Sequence, residues 1–293
     1  MLVTHTRGND QLATVFVGQI NHRNFEFAES FQPPLSSKEK WVLIVSCLYG
    51  CPVKCLMCDA GRQYMGCMSE KDIFEQIDYL VTRRFPDKII PVNKFKIQFT
   101  RMGEPAFNMA VLDVLEKLPQ RYHAPGLIPS ISTIGPRNCA RFFARLLDIK
   151  KRLYSNGAFQ LQFSIHTTDT EMRDRLIPTP KLSFQEIAAY GNIFLGQGDR
   201  KITLNFIVMN GYPIDPKTVQ SFFNPDVFLI KLTPLNPTQN ARNNHLETKL
   251  NPHDAGSVSD LAQEFKSLGF EVIVSIGELE ENRIGSNCGQ YVS

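Results

Sequence analysis

Three cysteines stand close together in the stretch Cys51-Pro52-Val53-Lys54-Cys55-Leu56-Met57-Cys58, at C-x3-C-x2-C spacing. They follow the apolar run Trp41-Val42-Leu43-Ile44-Val45, which puts them on a loop leaving a strand. Structural zinc wants four ligands, and iron–sulfur clusters usually take four cysteines. Three thiolates on one short loop suit a [4Fe–4S] cluster with one iron left open. An open iron can bind a small molecule and do chemistry on it. Two other readings of the same residues stand beside this one: a zinc site completed by a distant ligand such as Cys67, and buried structural thiols.

The elements that position this loop can be read from periodicity. From Trp41 onward the pattern alternates strand and helix. Val42–Cys47 reads as the first strand, and Ser69 can cap a helix running to about Arg84, with Ile73, Ile77 and Leu80 on one face. Further strands are expected over Lys94–Thr100, Leu127–Ile134, Phe159–His166, Lys201–Met209, Val227–Thr233 and Phe270–Ser275, with helices between them. Before Trp41, Ala13 to Ile20 and Phe25 to Phe31 read as a hairpin, ended by Pro33-Pro34 and a polar stretch. Six or seven β/α repeats imply an α/β fold: a parallel sheet covered by helices, forming a partial (β/α)6 TIM-like barrel with a short N-terminal β extension. The expected division is an extension over residues 1–40, packed on the barrel, and the barrel with its C-terminal tail over residues 41–293. The functional face, at the C-terminal ends of the strands, would carry the cysteine loop, Glu104, Ser132, His166 and Asn236.

Length and composition agree with one large α/β domain: 293 residues, 43% of them hydrophobic. No window resembles a membrane span and the N-terminus has no apolar signal core, so a cytoplasmic location is expected. Seven cysteines without a secretion signal read as metal chemistry and not as a disulfide framework. A net charge of +3 is too mild to imply nucleic acid by itself. One block, Arg137, Arg141, Arg145, Lys150, Lys151 and Arg152, is locally basic. It is either a phosphate-contacting patch or a solvated helix face.

The cysteine spacing is the signature of the radical S-adenosylmethionine (SAM) enzymes, and further pieces resemble one family among them, the RlmN/Cfr methyltransferases that act on an adenine of ribosomal RNA. These are Ala13-Thr14-Val15, Val45-Ser46, Gly50-Cys51, Met102-Gly103-Glu104-Pro105 with Asn108, and Ser132-Thr133 with Gly135. Phe163-Ser164-Ile165-His166, Arg173-Asp174, Ile177-Pro178, Asn236-Pro237 and Cys288-Gly289-Gln290 complete the set, over roughly residues 11–291. The resemblance implies that Cys51, Cys55 and Cys58 bind the cluster and that its open iron chelates the amino and carboxylate groups of SAM. It implies a SAM contact at Gly103 and Glu104, where a carboxylate meets the ammonium, and contacts to the ribose, carboxylate or adenine at Ser132, Ser164, His166 and Asn236. Cys288 matches the family's methyl-carrying cysteine. One SAM methylates its thiolate, and a radical made from a second SAM takes hydrogen from the S-methyl group. The resulting carbon radical adds to an electron-poor adenine carbon.

The match has gaps. The family's second cysteine lies seven positions before the first cluster cysteine, where this chain has Ile44, leaving Cys47, Cys67 and Cys139 as other thiols. About 40 residues precede the cluster strand, where typical bacterial members carry a longer region with an RNA-binding accessory domain. Ser132-Thr133-Ile134-Gly135 has lost one serine of the family piece, and Arg101 replaces a small residue before the Met-Gly-Glu-Pro turn. The sequence therefore points to methyl transfer through Cys288 to an electron-poor carbon of a non-ribosomal, small-molecule or nucleotide-like acceptor, with a flavodoxin or ferredoxin as electron donor. RNA as the acceptor, radical chemistry without methyl transfer, and a non-catalytic SAM- or cluster-binding protein are the alternatives.

Overall fold

The alternation of side chains along the strands sets the architecture. In the strand Lys94–Phe99, Phe95, Ile97 and Phe99 are fully buried on one face, while Lys94, Lys96 and Gln98 take the other. The same alternation recurs in Gln160–Ser164 and Phe228–Thr233, so one face of the sheet meets helices and the other a polar interior. A computed structural model describes residues 1–286, apart from residues 32, 62, 252 and 278.

Ten strands form one sheet in sequence order. Strands β1 (Leu2–Asn9), β2 (Ala13–Ile20) and β3 (Arg23–Ser30) are antiparallel, and β3 pairs antiparallel with β4 (Lys40–Val45). From β4 onward every pairing is parallel: β5 (Lys94–Phe99), β6 (Leu127–Thr133), β7 (Gln160–Ser164), β8 (Ile202–Ile207), β9 (Phe228–Thr233) and β10 (Val272–Val274). This is a partial TIM-like barrel. The strand β1 was not foreseen: beyond Leu2 and Val3 its residues are polar or glycine, and nearly all are exposed, so no apolar periodicity marks them.

The helices that cover the sheet include α1 (Glu70–Arg84), α2 (Ala110–Arg121), α3 (Ala140–Leu153), α4 (Thr170–Leu176), α5 (Phe184–Phe194), α6 (Pro216–Phe222), α7 (Gln239–Asn243), α8 (Ser259–Ser267) and α9 (Leu279–Ile284). Ser69 caps α1 as its sequence foretells: the hydroxyl accepts from Asp72 N at 3.1 Å and the Asp72 carboxylate accepts from Ser69 N at 2.9 Å. The helix α3 begins at Ala140, after a segment in which Arg137 N donates to Pro180 O. The core between sheet and helices is rich in aromatic pairs, such as Trp41 stacked on Phe95 at 5.1 Å between ring centroids. After β10 the chain crosses back to the first strands. Ile284 of α9 packs with Leu12, Ala13, Val15 and Ala28, and Ser30 Oγ donates to Glu281.

Candidate functional site

The cysteine loop leaves β4 through Gly50, whose φ of +81° suits glycine; a Cβ there would lie 1.4 Å from Gln63 O. The loop is then tied to α7. Asp59 accepts from Gln239 N at 2.9 Å and Asn240 N at 2.8 Å. In return Thr238 Oγ1 donates to Met57 O, Asn240 Nδ2 to Cys58 O and Asn244 Nδ2 to Leu56 O, at 2.8, 2.7 and 3.0 Å. Leu56 N also donates to Leu176 O at the end of α4. The backbone between the second and third cysteines is thereby held from outside the loop.

Cys51, Cys55 and Cys58 line one cavity of about 160 Å³ together with Gly103, Glu104, Ser132 and Ser164. Gly103 has φ +100°, and a Cβ on it would fall 2.4 Å from Leu48 Cγ. Its turn delivers Glu104 into the cavity wall. Glu104 Oε1 accepts from Ala106 N at 3.0 Å and Thr133 Oγ1 at 2.5 Å, and Oε2 accepts from Ile134 N at 2.9 Å. Burial nevertheless raises its pKa to about 7, against the opposing pull of those three donors.

Burial pushes the Cys51 thiol up to about 11 and the Cys55 thiol to about 12. Such thiols become thiolates only against a cation, which is what a metal centre supplies. Among the described residues, no three histidine, cysteine or carboxylate side chains converge as ligands of one ion. A cubane would ask for a different arrangement, with each cysteine on a different iron, and all three cysteines line the one cavity. The donor set fits such a cluster, and the carboxylate of Glu104 beside it fits an ammonium.

The remaining sequence-derived residues are dispersed. His166 is buried with φ +66°, and its Nδ1 accepts from Ile207 N at 3.2 Å, which leaves the proton on Nε2. Burial and Arg173 push its pKa down to about 3, so it is neutral. It does not line the cysteine cavity. Asn236 lines a second cavity, of about 250 Å³, in the barrel interior; Thr100 is in the wall of both. Cys288 lies outside the described residues. Ile44 faces the barrel interior, while Cys47 is buried in the core and Cys67 is exposed, its thiol directed to Phe107 O. Neither of those two thiols lines the cysteine cavity.

Sequence reasoning missed the support from α7, whose only local signal is Thr238 as a cap after Asn236-Pro237. It also left Arg101 open. That guanidinium is buried in the cavity wall, paired with Glu26 at 2.5 Å, and donates to Gly285 O at 2.7 Å and Ser286 O at 2.6 Å. The basic block is largely neutralised: Arg137 pairs with Glu186, Arg145 with Asp113 and Glu116, Lys150 with Asp199, and Arg152 with Asp148 and Glu116.

A three-cysteine loop after the first parallel strand of a partial barrel defines the radical SAM class. No family model matches the chain. A protein from Synechococcus sp. (strain RCC307), named as a probable dual-specificity RNA methyltransferase RlmN, is 23% identical over 209 residues, which cover 69% of this chain and 58% of that one. A probable RNA methyltransferase from Thiobacillus denitrificans (strain ATCC 25259 / T1) is 31% identical over 170 residues, 57% of this chain and 42% of that one. The chain thus spans about half the length of such relatives. The structure of a radical SAM methyltransferase from Sphaerobacter thermophilus matches the fold with a TM-score of 0.71, covering 94% of this chain and 76% of that one at 17% identity. The chain is thus similar in sequence to proteins named as RlmN-type RNA methyltransferases, and its fold is that of a radical SAM methyltransferase. Among the described residues no helix is long and apolar enough to cross a membrane.

Proposed function

We propose that this chain is a radical SAM methyltransferase of the RlmN/Cfr type. The observation that carries the reading is the single cavity shared by Cys51, Cys55, Cys58, Gly103, Glu104, Ser132 and Ser164. On this reading the three thiols hold a [4Fe–4S] cluster and the Glu104 carboxylate accepts from the SAM ammonium. Ser132, Ser164 and Asn236 contact the rest of SAM, and His166 offers the proton on Nε2 as a donor. Bound there, cluster and SAM would supply a 5′-deoxyadenosyl radical, with the electron coming from a flavodoxin or ferredoxin. Cys288 carries the methyl group: its thiolate takes CH3 from the sulfonium of one SAM, releasing S-adenosylhomocysteine, and the carbon then passes to the acceptor.

The acceptor on this reading is a non-ribosomal, small or nucleotide-like molecule with an electron-poor carbon. Two observations support it: the isoleucine at position 44, in place of the second thiol, and the paired state of most of the basic block. The names of the relatives favour a second reading, in which RNA is the acceptor. RNA binding that falls steeply with salt would support that one, because phosphate contacts release counterions.

Mass spectrometry of the Cys288 peptide tests the main reading. Protein made without oxygen, its cluster intact, is incubated with methyl-deuterated SAM. A deuterated methyl group on Cys288, missing when Cys51→Ala protein is used, is the expected result. An unmodified Cys288 with 5′-deoxyadenosine formed would instead mean radical chemistry without methyl transfer. Cluster and SAM bound with neither product, in the presence of reductant, would support a non-catalytic protein.

A further inference from the structure

The interior of the barrel is polar where an ordinary barrel core is filled with branched apolar side chains. Its cavity of about 250 Å³ is walled by Gln98 of β5, Gln162 of β7, Asn205 of β8 and Lys231 of β9. Asn205 and Lys231 are direct register partners on neighbouring strands. Two features mark this wall as incomplete. Asn205 Oδ1 is buried and has no hydrogen-bond partner. The Lys231 side chain is half-buried in this wall, and no carboxylate of a described residue forms an ion pair with it. Lys96 stands inside the same barrel, donating to Gln160 Oε1 at 2.6 Å across the β5–β7 gap. The charges that act on it most strongly are cations: Lys231, Lys94 and Lys40 on the strands and Arg200 before β8. The carboxylate in the cavity wall, Glu281 on α9, is engaged by Ser30 Oγ at 3.0 Å.

An ammonium that lines a cavity without an ion-pair partner is costly to desolvate, and a bound anion offsets that cost. We propose that the barrel interior holds an oxyanion, phosphate or carboxylate, of the acceptor on Lys231 with Lys96 behind it, and a hydrogen-bond donor of the same molecule on Asn205. The acceptor is therefore an anionic small molecule that enters beside the cluster cavity, with which the interior shares Thr100. This rests on the proposed function, in which neither lysine is among the residues that hold SAM, so both are left for another molecule.

The test is calorimetric titration of cluster-loaded protein, in buffer free of competing anions, with inorganic phosphate and with acetate as the two probes. SAM is titrated in parallel. Saturable binding of at least one probe is expected, and the tighter probe identifies the kind of oxyanion. Lys231→Met should weaken it about tenfold or more, while Lys201→Met, whose ammonium pairs with Glu271 at 2.6 Å, should leave it unchanged. Lys231→Met also removes a charge without an ion-pair partner, so its melting temperature should not fall, and phosphate or acetate should raise the melting temperature of the parent protein alone. Lys231→Gln serves as the second variant if the methionine disturbs folding. Neither probe binding, or binding undiminished in the Lys231 variants, overturns the proposal. So does loss of SAM binding with anion binding kept in Lys231→Met, which would give the lysine to the SAM carboxylate. Anion binding without SAM binding in the parent protein would instead sink the proposed function and leave the anion site standing.

Discussion

Glu104 takes three hydrogen bonds from its own chain, two of them from backbone amides, and this fixes the orientation of the carboxylate before any ligand arrives. Glu104→Gln turns an NH2 group toward one of those donors. The unsatisfied pair should cost about 1–3 kcal/mol of stability, and SAM affinity should fall about tenfold or more, read by equilibrium binding beside a denaturant melt. Unchanged SAM affinity would remove Glu104 from the contact set. Its neighbour Gly103 is constrained by φ and by Leu48, so Gly103→Ala should destabilise by about 1–3 kcal/mol. Lys96 carries a pH signature. Burial, then Lys231, Lys94, Lys40 and Arg200, lower its pKa to about 7, below its value in the unfolded chain. Between the two values the unfolded state binds more protons, so this residue makes stability rise with pH from about 7 toward 10 and contributes no slope below that window. Lys96→Met should flatten that rise in a pH series of chemical denaturation; an identical slope would contradict the shifted pKa.

At the scale of elements, the cysteine loop depends on α7, a helix of five residues that is too short to persist without its partners. Asp59 joins the two by accepting two amides. Asp59→Ala should cost about 1–2 kcal/mol and lower the iron bound per chain after reconstitution, with the three cysteines untouched. Full iron content would mean that the loop orders itself. Arg101 and Glu26 join the turn after β5 to β3 and to Gly285 and Ser286 beyond α9. Removing the guanidinium alone leaves a carboxylate buried at 1% side-chain exposure. Arg101→Met should therefore cost about 3–5 kcal/mol, and pairing it with Glu26→Gln should recover a good part of that loss.

For the whole molecule, the chain returns on itself: α9 lies against β2 although β10 and β2 stand at opposite parts of the sheet order. The last described turn is thus bonded to Arg101 in the wall of the cysteine cavity. The same return brings Glu281 over the polar interior. A barrel closed in this way can keep polar groups inside without exposing them freely to solvent, which is where the proposed anion site draws its strength.

Local signals in the sequence were enough for much of this. The cysteine loop, the strands from β4 to β10, the Ser69 cap and the Met-Gly-Glu-Pro turn all depend on spacing within a few residues, and those constraints are written locally. The alternation in Lys94–Phe99 and Gln160–Ser164 also announces a polar face, though not that it points into a barrel. Tertiary structure alone decided which distant groups meet: Asp59 with α7, Arg101 with Glu26 and Ser286, Lys231 with Asn205 and the field of Lys96. These contacts are set by how seven parallel strands curve and by where the final helix docks, and no short-range pattern encodes the closure of a sheet.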